Sequence, residues 1–238
     1  MSVPNAPNTA EPGEIRRFDA LADRWWDPKG PMAPLHRMNP ARIGWIEARL
    51  GSLTGLHILD VGCGAGLAAE ALAKKGAMVT GIDAAGAALA AARDHAAGAG
   101  LEVDYRETTP ETLAETGARF DAVLALEVIE HVPIDQRPAF CAALAALVKP
   151  GGTVVLSTLN RTRRSWLFAI AGAEYVLRLL PRGTHDWKLF VTPAELGTLL
   201  RGAGLRPAEV AGLLPDPRTG GFRTGTDVAV NYMMAARA

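Results

Sequence analysis

From Leu56 onward, short apolar runs rich in branched residues alternate with longer Ala-rich stretches of helical period. That alternation predicts an α/β domain on a mainly parallel sheet flanked by helices. Strands are expected at His57–Val61, Met78–Ile82, Glu102–Tyr105, Ala122–Leu126 and Thr153–Ser157, with helices near Ala68–Lys75, Gly86–Ala97 and Pro138–Val148. Lys149-Pro150-Gly151-Gly152 reads as a stop before the fifth strand, because proline lacks an amide donor and glycine favours turns. A helix near Pro193–Arg201 leads to extended runs at Leu205–Val210 and Asp227–Met233, read as an edge hairpin that completes a seven-stranded sheet. Two regions break the pattern: a helical preface over Glu14–Leu50, and an insertion over residues 160–190 after the fifth strand. Residues 1–13, rich in Pro, Asn and Ala, are expected to be disordered, and residues 14–238 to form one domain.

Composition narrows the function. The 25 basic residues balance the 25 acidic ones, so a nucleic-acid partner, which demands a basic excess, is not expected. Apolar residues make up 49% of the 238, enough for a sizeable core. Two cysteines, Cys63 and Cys141, make no disulfide framework and read as small buried hydrophobes in a reducing compartment. Met1–Pro12 has neither a basic start nor an apolar run, so a cytoplasmic location is expected.

The chemistry concentrates in Ile58-Leu59-Asp60-Val61-Gly62-Cys63-Gly64-Ala65-Gly66, an apolar strand running into a glycine turn and a helix start. Glycine tolerates positive φ and lets the backbone approach a ligand closely. The unpaired amides of the following helix can face an anion. The second strand closes on Gly81-Ile82-Asp83, where a carboxylate can accept both hydroxyls of an adenosine ribose. A nicotinamide fingerprint, G-x-G-x-x-G, fails: counted from Gly62, its third glycine falls on Leu67. The spacing present, Asp-x-Gly-x-Gly-x-Gly, resembles the first motif of class I methyltransferases. The resemblance implies their Rossmann-like fold, S-adenosyl-L-methionine as co-substrate, and Leu126 beside the adenine and the methionine chain.

Past the fourth strand stands Glu127-Val128-Ile129-Glu130-His131, whose acidic and imidazole groups would share one helical turn. Three readings stand side by side. His131 can act as a general base on a phenol, whose pKa of about 10 makes it a poor nucleophile at neutral pH. Glu127, Glu130 and His131 can together hold a divalent cation such as magnesium. Or the turn caps a helix and shapes the pocket.

Other segments are more specific: Phe18, Trp25-Trp26-Asp27, Leu35-His36-Arg37-Met38-Asn39-Pro40-Ala41-Arg42, Ser157-Thr158-Leu159-Asn160-Arg161-Thr162, Ser165-Trp166, Gly172-Ala173-Glu174-Tyr175, Gly183-Thr184-His185-Asp186-Trp187 and Val230-Asn231-Tyr232-Met233. From Glu14 to Met233 the chain resembles the UbiG-type ubiquinone biosynthesis O-methyltransferases, bacterial relatives of the mitochondrial coenzyme Q methyltransferase. The resemblance assigns cofactor contacts to Arg42, Gly62, Asp83 and Leu126, and Gly64 lies in the same loop. A guanidinium at Arg42 suits the methionine carboxylate as a bidentate partner. Trp25 and Trp26 line the substrate mouth, face the sulfonium as a cation–π wall, or fill the core. The family implies methylation of phenolic hydroxyls on polyprenyl intermediates, 2-polyprenyl-6-hydroxyphenol and 3-demethylubiquinol, with other ubiquinone-biosynthesis proteins as partners. One departure is Asp227-Val228-Ala229-Val230-Asn231, where the family pattern is Asp-Val-Asn; a bulge or shifted register in the last strand is expected there.

Within the insertion, Arg163, Arg164, Glu174 and Arg178 fall on about a third of a helix circumference, and apolar residues cover most of the rest. Such a segment suits a lid over the active site or a peripheral contact with the inner face of a membrane. The alternatives are a class I enzyme acting on another small phenol or carboxylic acid, and a non-catalytic cofactor- or lipid-binding scaffold.

Overall fold

The computed structural model describes residues 12–167 and 187–238. Of the residues expected to be disordered, 1–11 lie outside the described ones, as does most of the insertion with its amphipathic pattern, whereas Pro12 and Gly13 open a helix.

The strands are β1 (His57–Val61), β2 (Met78–Asp83), β3 (Val103–Glu107), β4 (Phe120–Leu126), β5 (Val148–Leu159), β6 (Arg206–Asp216), β7 (Gly221–Gly225) and β8 (Asn231–Arg237). They form one sheet in the order β3-β2-β1-β4-β5-β8-β6-β7. β1 to β5 are mutually parallel, and β8 runs antiparallel between β5 and β6. The helices are α1 (Pro12–Asp19), α2 (Ala33–Leu50), α3 (Leu67–Ala73), α4 (Gly86–Gly98), α5 (Pro110–Glu115), α6 (Arg137–Leu147), α7 (Arg163–Ser165) and α8 (Pro193–Gly202).

Strand periodicity explains the layering. Successive side chains point to opposite faces, so a strand covered on both sides must be apolar throughout. β4, Phe-Asp-Ala-Val-Leu-Ala-Leu, meets that condition from Ala122 onward. Val123 and Ala125 join Leu59, Val61, Val154 and Leu156 in a core closed by Phe140 and Leu144 of α6 and by Leu196 and Leu200 of α8. Ala122 and Leu124 face the other way with Ile58 and Val155, against Ile43 and Ile46 of α2, Leu72 of α3 and Leu89 of α4. The parallel α/β core thus matches the periodic pattern, with boundaries displaced by a residue or two except that β5 opens five residues earlier, and with α5 as a helix not expected.

The C-terminal part differs from expectation. The sheet has eight strands rather than seven, because β6 runs on to Asp216 and β7 folds back on it to form the outer edge. β7, Gly-Phe-Arg-Thr-Gly, has one large apolar residue and shows no alternation, so its strand state comes from its ladder to β6 rather than from propensity. β8 is not half of an edge hairpin; it is inserted next to β5. The two extra residues before Asn231 cause no bulge in β8, whose register with β5 is uniform from Asn231↔Leu159 to Arg237↔Thr153. They are absorbed in the preceding turn, where the Ala229 amide donates to Asp227 Oδ1 at 3.0 Å. The register shift falls in β6, between Pro207 and Glu209. Lys149–Gly152 is likewise not a stop but an irregular opening of β5, since pairing jumps from Phe120↔Val148 to Ala122↔Thr153.

Leu124 is fully buried at the centre of the sheet. Leu124→Ala should cost about 2–5 kcal/mol of stability, read by chemical denaturation. A loss under about 1 kcal/mol would contradict this placement of the core.

Candidate active site

Between β1 and β4 the strand order reverses direction, and such switch points open a crevice at the carboxyl ends of parallel strands. The glycine turn lies there. Gly62, Gly64 and Gly66 have φ of 67°, 53° and 88°, in the left-handed region. A Cβ at Gly62 would fall 2.6 Å from Val128 Cγ2, and one at Gly64 would fall 2.3 Å from Trp25 Cζ2. Only glycine fits at either position. Gly66 caps the N-terminus of α3.

Asp83, ending β2, grips this turn. Its Oδ2 accepts the Gly64 amide at 2.8 Å, and Oδ1 accepts the Ala85 amide at 2.9 Å. Burial raises its pKa against the pull of those amides. Each oxygen keeps lone-pair capacity for a further donor. Asp60, two residues before the first glycine, is buried, and its pKa is pushed up to about 7 by desolvation and by Asp83; a backbone bond from Ala69 and the charge of Arg42 oppose this. Its Oδ2 has no hydrogen-bond partner among the described protein atoms.

A charged cluster occupies the ends of β4, β5 and β8. Arg42, from α2, is buried rather than solvated, and its Nη2 donates to Glu127 Oε1 at 2.7 Å. Ser157 Oγ donates to the same oxygen at 2.7 Å, and Asn231 Nδ2 lies 3.0 and 3.1 Å from the two carboxylate oxygens. Desolvation alone would raise the Glu127 pKa, but Arg42, Asn231 and Ser157 outweigh it and hold it low. Nearby, Thr158 Oγ1 donates to Glu130 Oε2 at 2.8 Å. Burial and the charge of Glu127 push the Glu130 pKa up to about 7, against the attraction of His131.

Glu127, Glu130 and His131 do not share one helical turn. Glu127 sits at φ 59°, turning the chain out of β4, and a short 3-10 turn covers Ile129–His131. Among the described residues no three His, Cys, Asp or Glu side chains are disposed to hold a metal ion. Both oxygens of Glu127 already face Arg42 and Asn231. The divalent-cation reading therefore does not fit this donor set.

The segment around Trp25 closes the turn from above. The Trp26 indole donates to the Ala65 carbonyl at 3.0 Å and stacks on His95, with centroids 3.4 Å apart. His95 in turn contacts Glu70 at 2.7 Å. Trp25 is buried over Gly64, so one tryptophan packs on the cofactor loop and the other clasps α4. The asparagine of the preface contributes too, since Asn39 Nδ2 donates to the Leu67 carbonyl at 2.9 Å.

One cavity of about 670 Å³ unites these groups. Arg42, Gly62, Gly64, Asp83, Leu126, Glu127, Glu130 and His131 all line it. Its far wall is apolar: Pro34 and Leu35 from α2, Leu213 and Leu214 from β6, and Phe222 from β7. Asn231, Ser157 and Thr158 were not singled out from the sequence as site residues, although all three lie in segments that carried the family resemblance. Their roles depend on β5 and β8 being neighbours.

Crystal structures with the same architecture include magnesium protoporphyrin IX methyltransferase from Synechocystis with bound S-adenosylhomocysteine. It aligns with a TM-score of 0.66 at 21% identity, over 93% of this chain and 94% of that one. The 1,6-didemethyltoxoflavin-N1-methyltransferase of Burkholderia thailandensis aligns at 0.63 and 22% identity, over 98% and 92%. The methyltransferase domain family matches residues 58–152, from β1 into β5. Fold, glycine turn and domain match together define a class I S-adenosylmethionine-dependent methyltransferase. Curated relatives sharpen this. The ubiquinone biosynthesis O-methyltransferase of Azorhizobium caulinodans is 48% identical over 96% of this chain and 94% of its own length. That of Stutzerimonas stutzeri is 50% identical over 93% and 94%. The chain belongs to the ubiquinone biosynthesis O-methyltransferase family.

Asp83→Ala removes the carboxylate that braces Gly64 and faces the cavity. It should weaken S-adenosylhomocysteine binding roughly ten- to a hundredfold in calorimetry, the range expected for stranded hydrogen-bond donors. Unchanged affinity would place the nucleoside elsewhere.

Proposed function

We propose that this protein methylates the phenolic oxygen of polyprenyl-substituted quinone precursors, 2-polyprenyl-6-hydroxyphenol and 3-demethylubiquinol, using S-adenosyl-L-methionine. The observation that carries this reading is the single cavity that runs from the glycine turn, past Glu130 and His131, to an apolar wall. The names of the relatives support the same substrate class.

The methyl donor supplies an electrophilic carbon on a sulfonium. The phenolic oxygen forms the new C–O bond as the C–S bond breaks, leaving a neutral thioether. The chain's own contribution is alignment and proton removal. His131 receives the phenolic proton. Glu130, beside it and tethered by Thr158, steadies the resulting imidazolium when its carboxyl is ionised. Arg42, Gly62, Gly64, Asp83 and Leu126 hold the donor. The wall of Leu214 and Phe222 covers the start of the tail, and burying it there is favourable by about 25 cal/mol per Å² of apolar area.

A cytoplasmic enzyme in peripheral contact with the membrane that holds such a tail completes the reading, with other proteins of the pathway as neighbours. Supporting it, Trp166 and Leu167 are 49% and 56% exposed next to Arg163 and Arg164. No helix among the described residues is long and apolar enough to cross a membrane.

The direct test is product analysis with a short-tailed demethylubiquinol and S-adenosylmethionine. A methyl ether on the ring oxygen is expected, and its absence would overturn the reading. His131→Ala should lower kcat about a hundredfold or more while leaving S-adenosylhomocysteine affinity within twofold. The Glu130 carboxyl, raised above its ordinary range, is protonated at low pH and ionised above it. Wild-type kcat/KM should therefore rise with pH through about 7, and Glu130→Gln should flatten that limb. A pH-independent wild-type profile would remove Glu130 from the proton path.

A further inference from the structure

Arg137 opens α6 and is buried, with 5% of its surface exposed. Neither fact favours a cation. A helix N-terminus repels positive charge, and burial strips the guanidinium of water. Among the described residues no carboxylate meets it in an ion pair. Its Nε donates to the Val132 carbonyl at 3.1 Å, and its Nη2 donates to the Leu189 carbonyl at 2.5 Å. A neutral side chain could brace two carbonyls, so the charge itself calls for a use.

Burial pulls the Arg137 pKa down, the charges of Glu130 and Glu195 pull it up, and Arg161 opposes them. Glu195 is exposed and has partners of its own, Arg161 and the Thr192 hydroxyl. Glu130 is buried, and Thr158 Oγ1 donates to it. Glu127 repels the Glu130 anion and His131 attracts it, while Tyr232 of β8 also lies in its field. Arg42 is engaged by Glu127. Attraction is mutual: an anion that favours the charged guanidinium is itself favoured by it.

The two carbonyls show where this cation is anchored. Val132 directly follows His131, and its amide donates back to the Ile129 carbonyl at 3.2 Å. Leu189 ends the 3-10 turn Trp187–Leu189, which is tied to the end of β5 and to β8. Trp187 Nε1 donates to the Thr162 carbonyl at 3.0 Å, and the Val191 amide donates to the Leu159 carbonyl at 3.1 Å. Tyr232 Oη donates to the Val191 carbonyl at 3.0 Å. Arg137 is thus a strut between the loop carrying Glu130 and His131 and the strand ends opposite. Glu130, His131 and Val132 line the cavity, and Arg137 stands outside that lining.

We propose that Arg137 is a positioning residue for methyl transfer: it fixes the loop after His131 and supplies the counter-charge of Glu130, so that an anion stands beside the imidazolium formed at His131. This rests on the proton path proposed above and adds the group that keeps that path charged.

Two variants separate charge from clamp, with kcat and kcat/KM followed against pH on a short-tailed demethylubiquinol. Arg137→Gln keeps a donor and loses the charge, whereas Arg137→Lys keeps the charge and replaces the planar fork by a point. Without the cation Glu130 holds its proton to higher pH. The rising limb of Arg137→Gln should therefore lie about one pH unit above that of the wild type. Its plateau kcat should fall roughly tenfold or more as the loop loosens. In Arg137→Lys the limb should stay in place while kcat still falls. Both variants should bind S-adenosylhomocysteine within about twofold of wild type, since Arg137 makes no contact with the glycine turn. An unmoved limb in Arg137→Gln would overturn the proposal. So would cofactor affinity lost in step with kcat in both variants, the mark of a purely structural role. If Arg137→Gln does not fold, Arg137→Lys decides, and a wild-type kcat or a displaced limb there would overturn it. Glu130→Gln keeps the two readings apart. Should it retain the wild-type limb, the proton path fails and this assignment with it; should it flatten the limb while Arg137→Gln leaves it in place, this assignment alone falls.

Discussion

The amide of Gly64 bound to the carboxylate of Asp83 ties the end of β1 to the end of β2 and sets the shape of everything above them. Together with the Gly62 and Cys63 amides, which donate to the Ile82 carbonyl at 2.8 and 3.1 Å, it anchors the left-handed turn to β2. With it, Gly62 and Gly64 stay thin enough for Val128 and Trp25 to close on them. The turn is therefore a shared floor. The preface lies on it through Trp25 and Trp26, the end of β4 through Val128, and the first turn of α3 continues from it.

Charge placement follows the same logic. Buried carboxylates at the open end of a parallel sheet are costly, and Glu127, Asp83 and Glu130 meet that cost differently. Glu127 is neutralised by Arg42 and by two neutral donors. Asp83 takes backbone amides. Glu130 has one hydroxyl donor and a like charge nearby, which leaves its proton available near neutral pH. The environment thus separates a permanent anion from a titrating one within four residues of chain. That separation puts a permanent anion and a group that titrates near neutral pH on the wall of one cavity.

The C-terminal strands show how a common core acquires a specific pocket. β1 to β5 make the nucleoside crevice, as in many class I enzymes. β6 and β7 extend the sheet past α2, and Leu213, Leu214 and Phe222 line the cavity from that extension. β8, held in register with β5 by seven pairs from Asn231 to Arg237, delivers one asparagine to the ion pair. The same sheet thus supplies polar recognition at one end of the cavity and an apolar surface at the other.

The sequence by itself determined what rests on local rules. Apolar period fixed the alternation of strands and helices, because faces must be buried at intervals of two and of about 3.6 residues. Three glycines at alternate positions after a strand, with Asp83 closing the next, marked the nucleoside turn, because only glycine accepts that backbone. Tertiary structure alone decided what rests on non-local pairing. Glu127 looked like part of a helical metal turn, and it is instead the centre of an ion pair, since Arg42, Ser157 and Asn231 lie 85, 30 and 104 residues away along the chain. β7 had no pattern of its own and exists through its ladder to β6. Spacing along a chain reports which face a residue takes; it does not report which distant strand will stand beside it.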